Sequence, residues 1–181
     1  MKVALCIGHS PKDGGAVTTD GKFSEYAFWK IHLPTLKAAL EARGHQAVIC
    51  NRSDAGGTSP SYAAVACNST GADLAIELHF NSAESPAASG TETLYWYNSR
   101  GGQRAAEWIN QRMVEVLGLP NRGIKPVTPE SNRAVNYFRK PRMPAVLVEP
   151  SFAASNVTDN DRLQTRVSAL CEAIADAVDC I

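Results

Sequence analysis

The chain has 181 residues, 44% of them hydrophobic and 20% charged, and its 18 basic and 18 acidic side chains cancel to a formal net charge of zero. Such a length is most simply one domain, residues 1–181, with a real hydrophobic core, and a balanced charge without any basic run argues against nucleic-acid binding driven by phosphate neutralisation. No apolar stretch approaches the length that crosses a bilayer. The apolar run after Lys2 is too short for a secretory signal, so the expectation is a chain made in the cytoplasm without its own export signal.

In chain order, residues 2–8 read as a buried strand built on Val3-Ala4-Leu5-Cys6-Ile7, followed by the Gly-rich turn Asp13-Gly14-Gly15-Ala16. A helix is predicted from about Lys22 to Arg43. Trp29, Leu33, Leu36 and Leu40 form its apolar stripe, opposite Lys30, Lys37 and Glu41. Pro34 should kink it and Gly44 should close it. Gln46 to Cys50 is a short strand, Asn51 to Pro60 a polar loop, and Ser61 to Ser69 a helix. Asp73 to Phe80 is apolar on both faces and so a central strand. After the Ser/Ala/Pro-rich loop Ser82 to Ser89, Thr91 to Tyr97 alternates as a strand does. Arg100 to Leu117 is an amphipathic helix stopped by Gly118 and Pro120, Pro144 to Val148 a buried strand, and Asp161 to Val178 a closing helix. This alternation predicts an α/β fold: one domain with a mostly parallel, mixed sheet of about six strands flanked by helices on both faces.

The five cysteines, Cys6, Cys50, Cys67, Cys171 and Cys180, are odd in number, scattered, and never spaced as C-x-x-C. That argues against a thiolate zinc site and against a secreted disulfide framework. Cys6, within an apolar strand, reads as a buried inert thiol.

The chemistry-bearing residues sit at strand ends. His9 follows the first strand, His79 ends Leu74-Ala75-Ile76-Glu77-Leu78, and Glu149 ends Ala145-Val146-Leu147-Val148. In open α/β sheets, sites form at the carboxyl ends of strands. Glu25 lies four residues before Trp29 and so points down the apolar face of its helix. A carboxylate there needs compensation, either by a metal ion or by the helix dipole that favours a first-turn glutamate. Catalytic zinc takes three protein ligands and leaves a position open. It lowers the pKa of water and polarises a carbonyl, while a carboxylate outside the coordination sphere moves the proton. His9, Glu25 and His79 suit the ligand roles for one zinc ion, and Glu149 suits the proton shuttle. Each residue alone has an ordinary structural explanation; their shared sheet edge is what makes a site. His32, mid-helix, and His45, in a turn, are weaker candidates.

Gly8-His9-Ser10-Pro11-Lys12-Asp13-Gly14-Gly15-Ala16, followed by Glu25, resembles the opening signature of zinc-dependent N-acetylmuramoyl-L-alanine amidases of the amidase-3 type. Leu78-His79-Phe80-Asn81-Ser82 resembles their second histidine motif. Pro144-Ala145-Val146-Leu147-Val148-Glu149-Pro150-Ser151-Phe152, with Asn156 and Asp159 beyond, is similar to their closing motif. The match runs in order over nearly the whole chain. The resemblance implies a twisted, mainly parallel sheet and hydrolysis of the amide between N-acetylmuramic acid and L-alanine in peptidoglycan. It assigns His9, Glu25 and His79 to zinc and Glu149 to general base and acid. Together with the missing export signal, it suggests a phage or prophage endolysin that reaches the cell wall after release by a holin-type partner. Two features depart from the family pattern. Glu77 stands where many members have a small residue, and it either orients His79 or bonds nearby backbone. Ser10-Pro11 and Pro150 replace glycines beside the first histidine and the glutamate.

Two other classes compete. A zinc carboxypeptidase-like peptidase usually carries H-x-x-E, whereas His9 and Glu25 are sixteen positions apart. A non-catalytic wall-binding α/β module would tolerate loss of a ligand, yet all four positions hold competent residues. Arg139 and Asn81 are candidate substrate contacts because each lies near a motif; surface salt-bridging and turn-capping are their alternatives.

Overall fold

The computed structural model describes residues 1–181. Strand β1 (Lys2–Ile7) pairs in parallel with β2 (Gln46–Cys50) on one side and β3 (Leu74–Leu78) on the other. Val3 to Cys6 are fully buried because both sheet faces are covered, which is why this run is continuously apolar rather than alternating. β6 (Ala145–Glu149) extends the parallel set beside β3. β4 (Thr91–Trp96) lies antiparallel to β6, and β5 (Asn121–Val127) parallel to β4. The resulting six-stranded order is β2-β1-β3-β6-β4-β5. The expected mixed α/β sheet is present, four strands running one way and an outer pair the other.

β5 is the strand that hydrophobic patterning does not reveal. It is an edge strand in which only Val127 is buried, with Gly123 and Pro126 inside it. An edge needs no apolar alternation and tolerates proline.

One face of the sheet is covered by α1 (Glu25–Ala42), α3 (Arg100–Leu117) and α5 (Val157–Val178). Phe28, Trp29, Leu36, Ile109, Met113, Leu163 and Leu170 join Val3, Leu5, Ile76, Val146 and Val148 there in one cluster. α2 (Pro60–Ser69) and the single turn α4 (Val135–Phe138) cover the other face. That thinner layer packs Ala63, Cys67, Tyr137 and Phe138 with Ala4, Cys6, Ala75, Leu94 and Leu147.

Capping explains where the expected boundaries move. α1 begins at Glu25 rather than Lys22, because the Ser24 hydroxyl accepts from Ala27 N at 3.2 Å and fixes the start. α5 begins at Val157 rather than Asp161, with Asn156 accepting from Asp159 N at 3.1 Å. Pro34 does not end α1. It and Lys30, whose carbonyl it leaves without an N–H partner, are both exposed, so the interruption falls on the solvent-facing side of the helix. The expected polar loop after β2 contains a 3-10 turn, Arg52–Ala55, whose arginine is buried.

Candidate metal centre and groove

Parallel register brings the predicted strand ends to one edge. Ile7 is paired with Leu78, and Leu78 with Val148. His9, His79 and Glu149 therefore emerge together, and the start of α1 delivers Glu25. Backbone bonds hold the segments beyond the strands: Gly8 N to Leu78 O at 3.0 Å, His79 N to Val148 O at 3.1 Å and Asn81 N to Ser151 O at 2.7 Å. The Trp29 indole donates to the His79 carbonyl at 2.9 Å, pinning this segment to α1.

Glu25 is the centre of the cluster. Its Oε2 lies 3.0 Å from His79 Nδ1 and accepts from Phe80 N at 3.0 Å. Its Oε1 lies 3.3 Å from His9 Nε2 and accepts from Ala16 N at 3.0 Å. The residue is only 4% exposed. Burial pushes its carboxyl up, but bonds from both imidazoles outweigh that and hold it well below the usual carboxylate range. One donor atom from each of His9, Glu25 and His79 lies within 4.8 Å of the others. Two glycines make room for this packing. A Cβ on Gly8 would lie 1.8 Å from His79 Nε2, and one on Gly15, at φ +78°, would meet His9 Cδ2 at 2.6 Å.

The other edge of His79 faces a second carboxylate. Glu77 Oε2 lies 3.7 Å from His79 Nε2, and Glu77 Oε1 lies 3.5 Å from Arg52 Nη2. Arg52 in turn donates through Nη1 to the Thr58 carbonyl at 3.0 Å. Burial pushes the His79 imidazole down, but Glu25 and Glu77 outweigh it and hold it well above the ordinary histidine value. Of the two roles open to Glu77, contact with the imidazole is the one the geometry displays.

A cavity of about 390 Å³ opens beside these residues. His9, Asp13, His79 and Glu149 line it together with Thr58, Ser59 and Pro60 and, from another segment, Arg133 and Ala134. Its deep end consists of the buried residues Arg52, Glu77, Leu94, Tyr137 and Leu147. Desolvation pushes the Glu149 carboxyl up to about 8, with the charge on His79 opposing. The buried atoms Glu149 Oε2, His9 Nδ1 and Tyr137 Oη have no hydrogen-bond partner. Native structures leave few such atoms without a reason, and these three border one cavity.

Several contributors escape sequence reasoning. Glu92 faces Glu149 across the antiparallel β4–β6 pair and is 1% exposed. It accepts from Arg122 Nε at 2.9 Å and from Asn81 Nδ2 at 2.9 Å, and Arg133 Nη2 also bonds it. Burial pushes its carboxyl up, yet Arg133 and Arg122 hold it below the ordinary value. The available signal for Glu92 was a lone carboxylate two residues before Leu94, on the same side of a strand whose residues Thr91 to Tyr95 are all buried. Arg52 and Arg133 sit in segments without periodicity and left no such signal.

Asn81 is spent on Glu92 and on its own turn, where its Oδ1 accepts from Ser82 N at 3.1 Å. Arg139 bonds the Pro129 carbonyl at 3.3 Å and does not line the cavity, whereas Arg133 does. Asp159 is fully buried and accepts from Ser89 Oγ, Gly90 N and Phe152 N, tying the approach to β4 to the exit of β6. His32 packs against Phe28 with ring centroids 4.6 Å apart, and His45 pairs with Asp179 at 2.8 Å; neither borders the cavity. Three of the scattered cysteines do meet: Cys6, Cys50 and Cys67 place their sulfurs within 4.8 Å of one another in the alanine-rich core under α2. Spacing could not reveal this, since they come from two strands and a helix.

The His9–Glu25–His79 donors match the two imidazoles and one carboxylate common in open catalytic zinc sites. The chain spans 18% of LytC, the N-acetylmuramoyl-L-alanine amidase of Bacillus subtilis, and is 33% identical to it over 98 residues, 53% of its own length. It superposes on Cwp6 from Clostridium difficile with a TM-score of 0.84 at 24% identity, covering 98% of this chain and 28% of that one. The catalytic domain of the CD27L endolysin, which targets Clostridia difficile, gives a TM-score of 0.79 at 27% identity, with 98% and 96% of the two chains covered. The amidase-3 family profile, described as N-acetylmuramoyl-L-alanine amidase, matches residues 3–180. The chain therefore belongs to the amidase-3 family of N-acetylmuramoyl-L-alanine amidases.

Proposed function

We propose that this chain is a zinc-dependent N-acetylmuramoyl-L-alanine amidase, in which His9, Glu25 and His79 hold one zinc ion and Glu149 carries protons. The observation that carries the proposal is the meeting of His9, Glu25 and His79, whose donor atoms lie within 4.8 Å of one another, beside a cavity that His9, His79 and Glu149 line. Zinc held there would supply Lewis-acid chemistry, lowering the pKa of water and polarising the scissile carbonyl. Glu25 keeps the two imidazoles turned toward a common point, and the bonds from Ala16 N and Phe80 N keep Glu25 in place. Glu149 takes the proton from the attacking water. As the C–N bond breaks it returns that proton to the leaving amine of L-alanine, and the lactyl carbonyl carbon, now bearing the water oxygen, becomes a carboxylic acid that loses its remaining proton to solvent. Desolvation that raises the Glu149 pKa makes it a better acceptor, while a nearby dication favours its ionised form. The substrate that fits the family and the groove is the muramyl-peptide junction of peptidoglycan.

Purified peptidoglycan with a covalently attached dye, treated with the chain before and after chelation, tests this. The expected result is release of dye with new N-terminal alanine and no new reducing sugar ends, abolished by chelator and restored by zinc. Release that survives complete zinc removal would refute the zinc mechanism. We further propose a role as a phage or prophage lysin that reaches the wall only through a holin-type membrane lesion, a reading supported by likeness to an endolysin catalytic domain over nearly its full length. Expression inside bacteria should then cause lysis only when the membrane is permeabilised.

A further inference from the structure

We propose that Glu77 is a positioning residue that fixes the ring of His79 for metal binding, and that Arg52 anchors Glu77 to the groove wall. This inference rests on the reading that His9, Glu25 and His79 share a divalent cation. The two ring nitrogens of His79 face different carboxylates. Nδ1 is turned to Glu25 at 3.0 Å, the side on which the metal donors gather. If Nδ1 is the donor, the ring proton belongs on Nε2, and the carboxylate facing Nε2 is Glu77 at 3.7 Å. Such a carboxylate selects the tautomer, orients the ring and raises its basicity. The imidazole also packs so closely on Gly8 that no Cβ fits there. The ring thus has Glu25 on one side, Glu77 on the other and backbone along its edge.

Glu77 is 1% exposed and its partner Arg52 3% exposed. A pair buried this deeply is poor value for stability alone, because desolvating two charges offsets their attraction. Its placement explains its retention better. Arg52 bridges Glu77 to the Thr58 carbonyl, and Thr58, Ser59 and Pro60 line the groove. The groove wall, Arg52, Glu77 and His79 therefore form one connected series. A shift of the wall as substrate enters moves the group that aligns a metal-binding ring.

Zinc affinity, measured by competition with a chromophoric chelator, and the visible spectrum of the cobalt(II) form test this role without reference to turnover. Glu77→Ala is expected to bind zinc about 10–100-fold more weakly and to alter the cobalt spectrum. Glu77→Gln keeps one oxygen acceptor and is expected to lose less than Glu77→Ala. Removing Glu77 alone strands the Arg52 charge and lowers stability whatever its role, so the double variant Glu77→Ser with Arg52→Met removes both charges. It should melt, metal-free, above Glu77→Ala while remaining as weak for zinc. Wild-type zinc affinity in Glu77→Ala or in the double variant overturns the positioning role. A wild-type chain that takes up no divalent metal instead overturns the reading of the centre, a separate result.

Discussion

Two clusters in this molecule each place three metal-capable side chains within 4.8 Å of one another: His9, Glu25 and His79 at the sheet edge, and Cys6, Cys50 and Cys67 beneath α2. By proximity they are equivalent, and by surroundings they are opposites. In the first, each carboxylate oxygen of Glu25 accepts a backbone N–H, the imidazoles are braced by Gly8, Glu77 and neighbouring strands, and a cavity adjoins. In the second, the sulfurs share a cluster with Ala4, Ala63, Ala64 and Ala75, none of the three cysteines lines the cavity or hydrogen-bonds a charged group, and Cys50 Sγ is 3.2 Å from Cys67 Sγ. Buried thiols pack as small hydrophobes without further help, whereas a buried carboxylate between two imidazoles requires a surrounding hydrogen-bond frame. The frame and the access, more than the donor count, mark a site.

The largest expected effect that tests this contrast is Glu149→Ala. With the donors and frame untouched, zinc uptake should be unchanged while kcat for peptidoglycan hydrolysis falls about 10²–10⁴-fold. Metal analysis alongside dye release checks it, and wild-type activity would remove Glu149 from the mechanism. Gly8→Ala attacks the frame itself. Its methyl group needs the space of the His79 imidazole, so stability should fall by about 1–3 kcal/mol, with zinc affinity falling as well. A variant that keeps full zinc affinity would show that the close packing of Gly8 on the ring is dispensable. The smallest effect belongs to the other cluster. Cys67→Ala should cost about 1 kcal/mol in a denaturant titration and leave zinc content at one ion per chain and activity near wild type. Lower zinc content in that variant would collapse the distinction drawn between the clusters.

Much of the fold was readable because its central strands are simple. A strand buried on both faces is expected to be a nearly continuous apolar run; β1 is one from Val3 to Ile7, and β3 and β6 are apolar except for Glu77 and Glu149. Helix stripes such as Trp29, Leu33, Leu36 and Leu40 were equally plain. Boundaries depended on single capping bonds at Ser24 and Asn156, and their signal is weaker than that of periodicity. β5 carried no signal, since an exposed edge strand with glycine and proline resembles a loop.

The same division runs through the site. Sequence alone marked His9, His79 and Glu149 as residues at strand ends, and the parallel register of those strands brings the three ends to one edge. Tertiary structure decided what stands around them. It paired buried Glu77 with Arg52, set Glu92 opposite Glu149 between two arginines, exchanged Arg139 for Arg133 at the groove, and gathered three distant cysteines into the core. These contacts join segments far apart in the chain, and the groups involved sit in loops or at single strand positions without periodicity. Charge neutralisation and packing act through space, so only the folded chain reveals which partners meet.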